Sequence, residues 1–368
     1  MALIHFHPLE LYPPVMNMLN YLSREYTGEI KVFTHLSSRY DRQFEADNIS
    51  FVRNREISGR SVVGRQWAYL YFVIRVFFHL LRIRPDTIFY YETNSALPVY
   101  LYYKLFRRAK TRLLIHYHEY NSIPQYRDNM KFVYYSYLTE KKNLWKRAAW
   151  ISHTNVFRRD FFMKDYPELK NIRVLPNYPP ASWIEKTGGR ANREEPLKLV
   201  YVGSLGIDNF HIVSLCEWMK ERKEQFTLTI YTHNFTSDVK DYLDSLHTEN
   251  IRVIYGGAWY YDLPSVLKQF DVGLILYRDF SDNYIYNETN KLFEYLACGL
   301  DVWFPEETKG IYQHITDNTF PKVLKVNFSK LNTFDPGSAV SREGLAYLPL
   351  SYTCESVYRE VLNLLNKS

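Results

Sequence analysis

Tyr286-Asn-Glu-Thr-Asn290-Lys-Leu-Phe-Glu294-Tyr-Leu-Ala-Cys-Gly299-Leu300 places Asn, Lys and Glu ahead of apolar positions at helical spacing and closes on glycine. The pattern predicts a short helix stopped by Gly299. The first-turn amides of such a helix lack intrahelical partners, so they suit a phosphate. Glu294, one turn in, suits the paired hydroxyls of a ribose. Lys291 adds a cation that would offset charge on a departing diphosphate. Asn290, Lys291, Leu292 and Glu294 are therefore the candidate lining residues of this stretch. Plainer readings of the same residues stand beside this one: acids favour helix starts, surface lysines lie along apolar faces, and Asn290 suits an N-cap.

Around this stretch lies a strand-and-helix series. It begins with the strand-like run 198–202 and continues through helix 211–220, strand 227–231, helix 238–246, strand 251–255, helix 263–269 and strand 272–276. Gly203-Ser204-Leu205-Gly206 follows the first strand directly, where small residues let backbone amides approach a phosphate. It is not Gly-x-Gly-x-x-Gly, and no Gly-x-x-x-x-Gly-Lys-Ser/Thr occurs, which disfavours a nicotinamide dehydrogenase and a phosphate-loop ATPase. Tyr255-Gly256-Gly257 reads equally as space for a planar base or as a tight turn into the next helix. Arg278 is a further cation for the diphosphate.

An earlier series occupies the first half. Strand-like runs at 2–6, 30–34, 87–91, 112–117, 149–153 and 173–175 alternate with helical stretches at 15–25, 66–81, 95–106 and 132–147. Repeated βαβ order predicts a parallel sheet covered by helices in each half, and so an α/β chain of two doubly wound domains facing one another across a ligand-binding cleft. We place the first domain at residues 1–178 and the second at 179–350. Residues 351–368 form a helix that either finishes the second domain or braces the first. The polar segment 185–196 reads as a linker or surface loop.

In the first half His116-Tyr-His118-Glu119 ends a strand, where His118 and Glu119 suit sugar hydroxyls or proton adjustment as an acceptor attacks. A strand-end histidine packed among tyrosines is the plainer account. His7 and Glu10, in the first strand-to-helix loop, and Glu92, after the strand 87–91, are candidate acceptor contacts. No third ligand at suitable spacing accompanies these residues, so no metal is expected.

Forty-six basic and forty acidic residues leave a charge of +6, which favours phosphate-bearing ligands or an anionic surface. Between Gly59 and Pro85 lie Arg60, Arg65, Arg75, Arg82 and Arg84 with no acidic residue, around an apolar run that Arg75 and His79 interrupt. That run is too short to span a bilayer. It reads either as an interfacial helix touching an anionic membrane through residues 60–84 or as a helix buried between sheet and loop. The arginines come without a recognition module or aromatic ladder, so no nucleic-acid partner is expected. The N-terminal residues look like a first strand rather than a secretion signal, and the three cysteines are widely spaced. A cytoplasmic protein, at or near the inner face of the cell membrane, is expected.

Val200-Tyr-Val-Gly203-Ser-Leu, Tyr255-Gly-Gly257, Asp271-Val-Gly-Leu-Ile-Leu276 and above all Asn290-Lys-Leu-Phe-Glu294-Tyr-Leu-Ala-Cys-Gly299 resemble the donor half of the retaining GT-B-fold glycosyltransferases of group 1 (GT4-like). The resemblance extends over about the last two thirds of the chain, and Val174-Leu-Pro-Asn177 is similar to the strand closing that family's N-terminal half. It implies a hexosyltransferase-like enzyme that moves a sugar from a nucleotide-diphosphate donor (a UDP- or GDP-sugar) to a glycan or lipid-linked glycan hydroxyl, with retention and without a cofactor. It also implies that Glu294 binds the donor ribose, that the Gly203 loop lies against the diphosphate, and that His118 contacts the transferred sugar. A nucleotide-sugar binding subunit without turnover and a nucleotide-sugar epimerase are the alternatives. The chain departs from the family at Ser204, where Arg is usual, at Asp208-Asn209, where Lys is usual, at Tyr286, where a second glutamate is usual and Glu288 is displaced by two, and at Asp301, where proline is usual.

Overall fold

The stretches Thr87–Tyr91 and Asp301–Pro305 are buried at every position, as strands of a parallel sheet covered on both faces must be. The computed structural model describes residues 1–366 apart from 39–40, 57–60, 108–109, 186–195 and 279. Arg60 and all but the ends of the predicted 185–196 linker lie outside the described residues. The chain divides into two units, Met1–Asn177 with Cys354–Ser368, and Tyr178–Thr353.

The first unit is built on a seven-stranded parallel sheet in the order β3-β2-β1-β4-β5-β6-β7. Its strands are β1 (Ala2–His5), β2 (Ile30–His35), β3 (Ile49–Asn54), β4 (Thr87–Tyr91), β5 (Arg112–Tyr117), β6 (Trp150–His153) and β7 (Ile172–Val174). Sequence order reverses between β1 and β4, the place where a doubly wound sheet opens a crevice at its strand ends. β3 and the helix Val156–Asp165 are additions to the sequence reading. The helix Lys131–Asn143 is tied to the sheet through Glu140, which is fully buried and accepts from Tyr90 at 2.6 Å, from Thr93 at 2.9 Å and from Tyr117.

The helix Cys354–Leu365 completes this unit. Tyr358 donates to the carbonyl of Pro14 at 2.8 Å, on the helix Pro13–Glu25, and Arg112 donates to the carbonyl of Leu364. Of the two positions open to it, the C-terminal helix therefore takes the one on the first unit.

The second unit holds a six-stranded parallel sheet in the order β10-β9-β8-β11-β12-β14. These strands are β8 (Leu197–Val202), β9 (Phe226–Tyr231), β10 (Ile251–Ile254), β11 (Val272–Leu274), β12 (Asp301–Pro305) and β14 (Val323–Val326), while β13 (Thr319–Phe320) pairs with β15 (Ala346–Tyr347). The helix Asn290–Ala297 connects β11 to β12. A β-carbon on Gly273 would meet the ring of Tyr295 at 2.2 Å, so a glycine in β11 lets this helix lie flat on the sheet. The Tyr295 hydroxyl accepts from the amide of Val202 at 3.1 Å, which ties the helix to the last residue of β8.

Asp301, the departure from the usual proline, is fully buried. It accepts from Arg342 at 2.9 Å and from the amide of Lys322 at 2.8 Å, so it anchors the start of β12. Among the described residues, no helix is long and apolar enough to cross a membrane.

Candidate functional site

Two groups of polar residues sit at strand ends, one in each unit. In the second unit the chain leaves β8 through Gly203 at φ +143°, a conformation open chiefly to glycine. The loop is fastened on both sides. Tyr201 donates to the carbonyl of Ser204 at 2.6 Å, and the side chain of Asn234 donates to the Ser204 hydroxyl at 3.1 Å. Leu205 is buried, with its amide on the carbonyl of Asn234 at 2.9 Å, so its side chain is core rather than lining.

Lys291 lies across this loop. A β-carbon at Gly203 would stand 2.6 Å from the Lys291 Cε and 2.9 Å from its Nζ. The ammonium donates to the Tyr277 hydroxyl at 2.8 Å and sits 5.9 Å from the centre of the Tyr201 ring. Burial alone would raise the Tyr277 phenol, but Lys291 and a hydrogen bond with Thr289 bring it below its ordinary value. Arg278 stands next to Tyr277; its amide bonds the carbonyl of Asn209 at 3.0 Å and its guanidinium reaches the carbonyl of Asp208 at 3.4 Å.

The helix starts later than an Asn290 cap would require. Thr289 is still extended, at ψ 147°, and is itself the N-cap, with no side-chain cap bond, so Asn290 is the first helical residue. Leu292 is fully buried and its amide returns to the carbonyl of Thr289 at 3.1 Å, which leaves it no lining surface. Glu294 is buried, and its carboxylate accepts no hydrogen bond from any described residue. Burial pushes it up to about 7, with Lys291 opposing. Glu288 is not in that position, since His314 at 2.7 Å and Gln313 both bond it.

Tyr255-Gly256-Gly257 forms the tight turn of its two readings. Gly257 has φ +65° and its amide bonds the carbonyl of Ile254 at 3.1 Å, while Tyr255 donates to Asp244. Space is nonetheless open at Gly256, where a β-carbon would meet nothing within 4 Å.

In the first unit, His5, Glu92 and His118 leave the ends of β1, β4 and β5. Glu92 has φ 61° and ψ 153°, a backbone conformation that a side chain strains. Three bonds hold it there: its amide donates to the carbonyl of His116 at 3.0 Å, its carbonyl accepts from the amide of Ser95 at 2.9 Å, and its carboxylate accepts from the amide of His118 at 2.6 Å. Burial pushes Glu92 up to about 8.

The His118 ring lies parallel to Tyr91 at 5.2 Å, with Tyr12 at 5.0 Å, His116 at 5.0 Å and His5 at 5.8 Å. Burial holds His118 well below the usual imidazole value, and its Nε2 has no hydrogen-bond partner among the described residues. Glu119, its neighbour in sequence, is exposed, so the two side chains do not share an environment.

His7 stacks on Tyr12 at 5.7 Å and is pushed down to about 4 by burial. Glu10 is buried and already engaged, accepting from the amide of Phe44 at 2.9 Å and facing Arg53 at 3.8 Å.

Tyr201, Asn234 and Tyr277, which shape the Lys291 site, were not singled out from the sequence, nor was Arg158, which is buried and donates to the carbonyl of His118. Only Tyr277 carried a local signal, as the residue that follows the apolar exit of β11. Among the described residues no group of three His, Cys, Asp or Glu could hold a metal ion.

No family model and no curated protein matches the sequence. Solved structures do match. A lipopolysaccharide outer core galactosyltransferase, WaaB, in its apo form shares 14% identity over 100% of both chains at a TM-score of 0.61. Anabaena HepE in complex with UDP shares 12% over 100% of both chains at 0.61. UDP-GlcNAc 2-epimerase from Neisseria meningitidis bound to UDP-GlcNAc shares 11% over 100% of both chains at 0.60.

Proposed function

We propose that this chain, whose two Rossmann-like units have the GT-B fold of those structures, is a glycosyltransferase. It moves a sugar from a nucleotide-diphosphate donor to a hydroxyl of a glycan or lipid-linked glycan. One observation carries the reading: Glu294 is a buried carboxylate without a hydrogen-bond partner among the described residues, one helical turn from an ammonium that overlies a glycine loop. A ribose diol supplies the missing donors, and a diphosphate supplies the anion that Lys291 lacks.

In this reading Glu294 takes the ribose. Lys291, Arg278 and the amides of Gly203 and Ser204 meet the diphosphate, and Lys291 exchanges its Tyr277 contact for a phosphate oxygen. Asn290 and the open side of Gly256 border the nucleotide. The cations are few because Ser204 and Asp208 replace the basic residues of the resembled family, so Lys291 bears most of the charge on the leaving group. Retention of anomeric configuration is expected from that resemblance.

The first unit is proposed to receive the transferred sugar and the acceptor. His118, neutral at physiological pH, offers Nε2 to a sugar hydroxyl, and Glu92, still protonated near neutrality, serves as a hydrogen-bond donor. His7 and Glu119 are candidate contacts beside them. Glu10 acts through the segment it holds at Phe44 rather than by direct contact.

A thermal-shift series with UDP-, GDP-, ADP- and CDP-sugars on the wild type and on Glu294→Ala tests the donor site. One nucleotide class should stabilise the wild type and lose its effect in the variant. Equal stabilisation of both proteins would refute the assignment. The epimerase among the structural neighbours shares this fold, so product formation with and without an acceptor separates transfer from epimerisation.

A further inference from the structure

The helix Val62–Ile83 in the first unit is apolar on two sides, and the sheet covers one of them. Tyr69, Phe72, Val73, Val76 and Leu80 are buried in the core. On the other side Val63, Trp67, Leu70, Tyr71, Ile74 and Phe78 are all exposed, with Trp67 at 68% and Phe78 at 62%. Their spacing places them on an arc of roughly 100° of the helix surface, a continuous stripe rather than scattered residues. A helix covered on one side only would ordinarily carry polar residues on the other.

The charges beside the stripe are all of one sign. No acidic residue lies between Glu56 and Asp86. Arg82 is exposed at the edge of the stripe, and neither it nor Arg55 and Arg75 forms an ion pair with a described carboxylate. Next to the stripe is a cavity of about 580 Å³ lined by Arg53, Arg55, Arg75, Trp67 and Tyr71. Arg75 is held in place by the carbonyl of Arg53 at 3.0 Å and the side chain of Asn54 at 2.6 Å. The Nε of Arg53 is buried without a hydrogen-bond partner. Among the described carboxylates, Glu10 at 3.8 Å and Glu45 at longer range act on Arg53, against three guanidiniums around the hollow.

We propose that this face docks on an anionic bilayer, with the aromatic and aliphatic stripe lying in the interfacial layer and the arginine-lined hollow receiving a lipid phosphate. The chemistry matches on both counts. Trp, Tyr and Phe favour the boundary between headgroup and acyl chain, and an arginine cluster matches phosphate oxygens in charge and geometry. A second copy of the chain is a poorer occupant, because a two-fold contact through this stripe would bring the same unpaired arginines towards one another.

Co-sedimentation of the full chain with phosphatidylcholine vesicles, with and without phosphatidylglycerol, tests the proposal. The protein should bind the anionic vesicles preferentially, and added salt should weaken that binding. Trp67→Ser with Phe78→Ser should lower partitioning by at least roughly tenfold. Arg55→Gln and Arg82→Gln should each lower it about fivefold on anionic vesicles only. All four side chains are exposed, so thermal unfolding of the variants should match the wild type.

Wild-type protein that stays in the supernatant with both vesicle types overturns the proposal. So does equal sedimentation of the stripe variants, or a solution dimer that Trp67→Ser dissociates, which would give the face to a second copy. The inference does not depend on the donor reading: nucleotide-sugar stabilisation measured on the same preparation stands or falls separately.

Discussion

The Lys291 ammonium occupies the space beside the α-carbon of Gly203 that any other residue would fill with its side chain, 2.9 Å from the ideal β-carbon position. A loop glycine and a helix lysine 88 positions later, counting from 203 to 291, thus form one unit. The glycine has two independent reasons to be there, its positive φ and this close approach.

Gly203→Ala should therefore act twice. The backbone strain should cost about 1–3 kcal/mol in denaturant unfolding. The displaced lysine should weaken stabilisation by the nucleotide-sugar that the wild type binds, by tenfold or more in apparent affinity. A variant with wild-type stability and wild-type donor affinity would show that the contact carries neither role.

Burial pushes Glu294 up to about 7 because it disfavours the charged form. Accepting hydrogen bonds from both ribose hydroxyls requires the ionised carboxylate, so donor affinity should rise with pH. Between pH 6 and pH 8 the ionised fraction, and with it the affinity, should increase by about tenfold. Titration calorimetry at the two values checks this. In Glu294→Gln the dependence should flatten and the affinity should be low at both.

Histidine burial sets the acid limit of the first unit. His5, His116 and His118 are held well below 6.5, His7 is pushed to about 4 and His153 to about 3, in each case first by burial. The unfolded chain binds these protons below pH 6.5 and the folded chain does not, so their stability contribution is complete above that value. It is lost progressively as pH falls towards 4 and 3. Glu92 and Glu140, raised by burial to about 8 and about 7, act in the opposite sense: their contribution declines as pH rises from 4.5 through neutrality. Circular dichroism should show a stability maximum near neutrality and a steep acid limb. Both ring nitrogens of His153 lack partners among the described residues, so His153→Phe should shift that limb to lower pH.

Asp301 and Arg342 form a buried pair in the second unit, at 2.9 Å. Asp301→Ala leaves an uncompensated guanidinium in the interior and should cost about 3–5 kcal/mol in urea unfolding. Asp301→Ala with Arg342→Met removes both charges and should recover most of that loss. Additive losses would show that the two side chains stabilise the unit separately.

The sheet architecture was legible because strands buried on both faces leave apolar runs, as at Thr87–Tyr91 and 199–202. β3 was not legible because it is an edge strand whose Ser50, Arg53 and Asn54 break the run. β12 was not picked out from the sequence, because its first residue is an aspartate that is buried only through Arg342, 41 positions on. The helix Val156–Asp165 carries Arg158, Arg159 and Asp160 in its first half, and the carbonyl of His118 and the hydroxyl of Thr154 explain why Arg158 lies inside. At the candidate site, Lys291 and Glu294 share one helix and Gly203 follows one strand, so spacing suffices to pick them out. Tyr201, within the strand that Gly203 follows, and Tyr277, beyond β11, complete the lysine's surroundings, and no local pattern marks that convergence. Leu205 and Leu292 were drawn in by their neighbours, although their side chains belong to the core.

The helix Cys354–Leu365 belongs to the first unit although residues 178–353 come before it. On the ribosome the second unit is therefore complete before the first can close around Pro14 and Arg112. Until then the nascent first unit presents the side of the helix Pro13–Glu25 that Tyr358 later covers. Ordered synthesis makes the later-encoded unit the earlier one to finish, and a nascent chain arrested just short of residue 354 would display an apolar seam to chaperones.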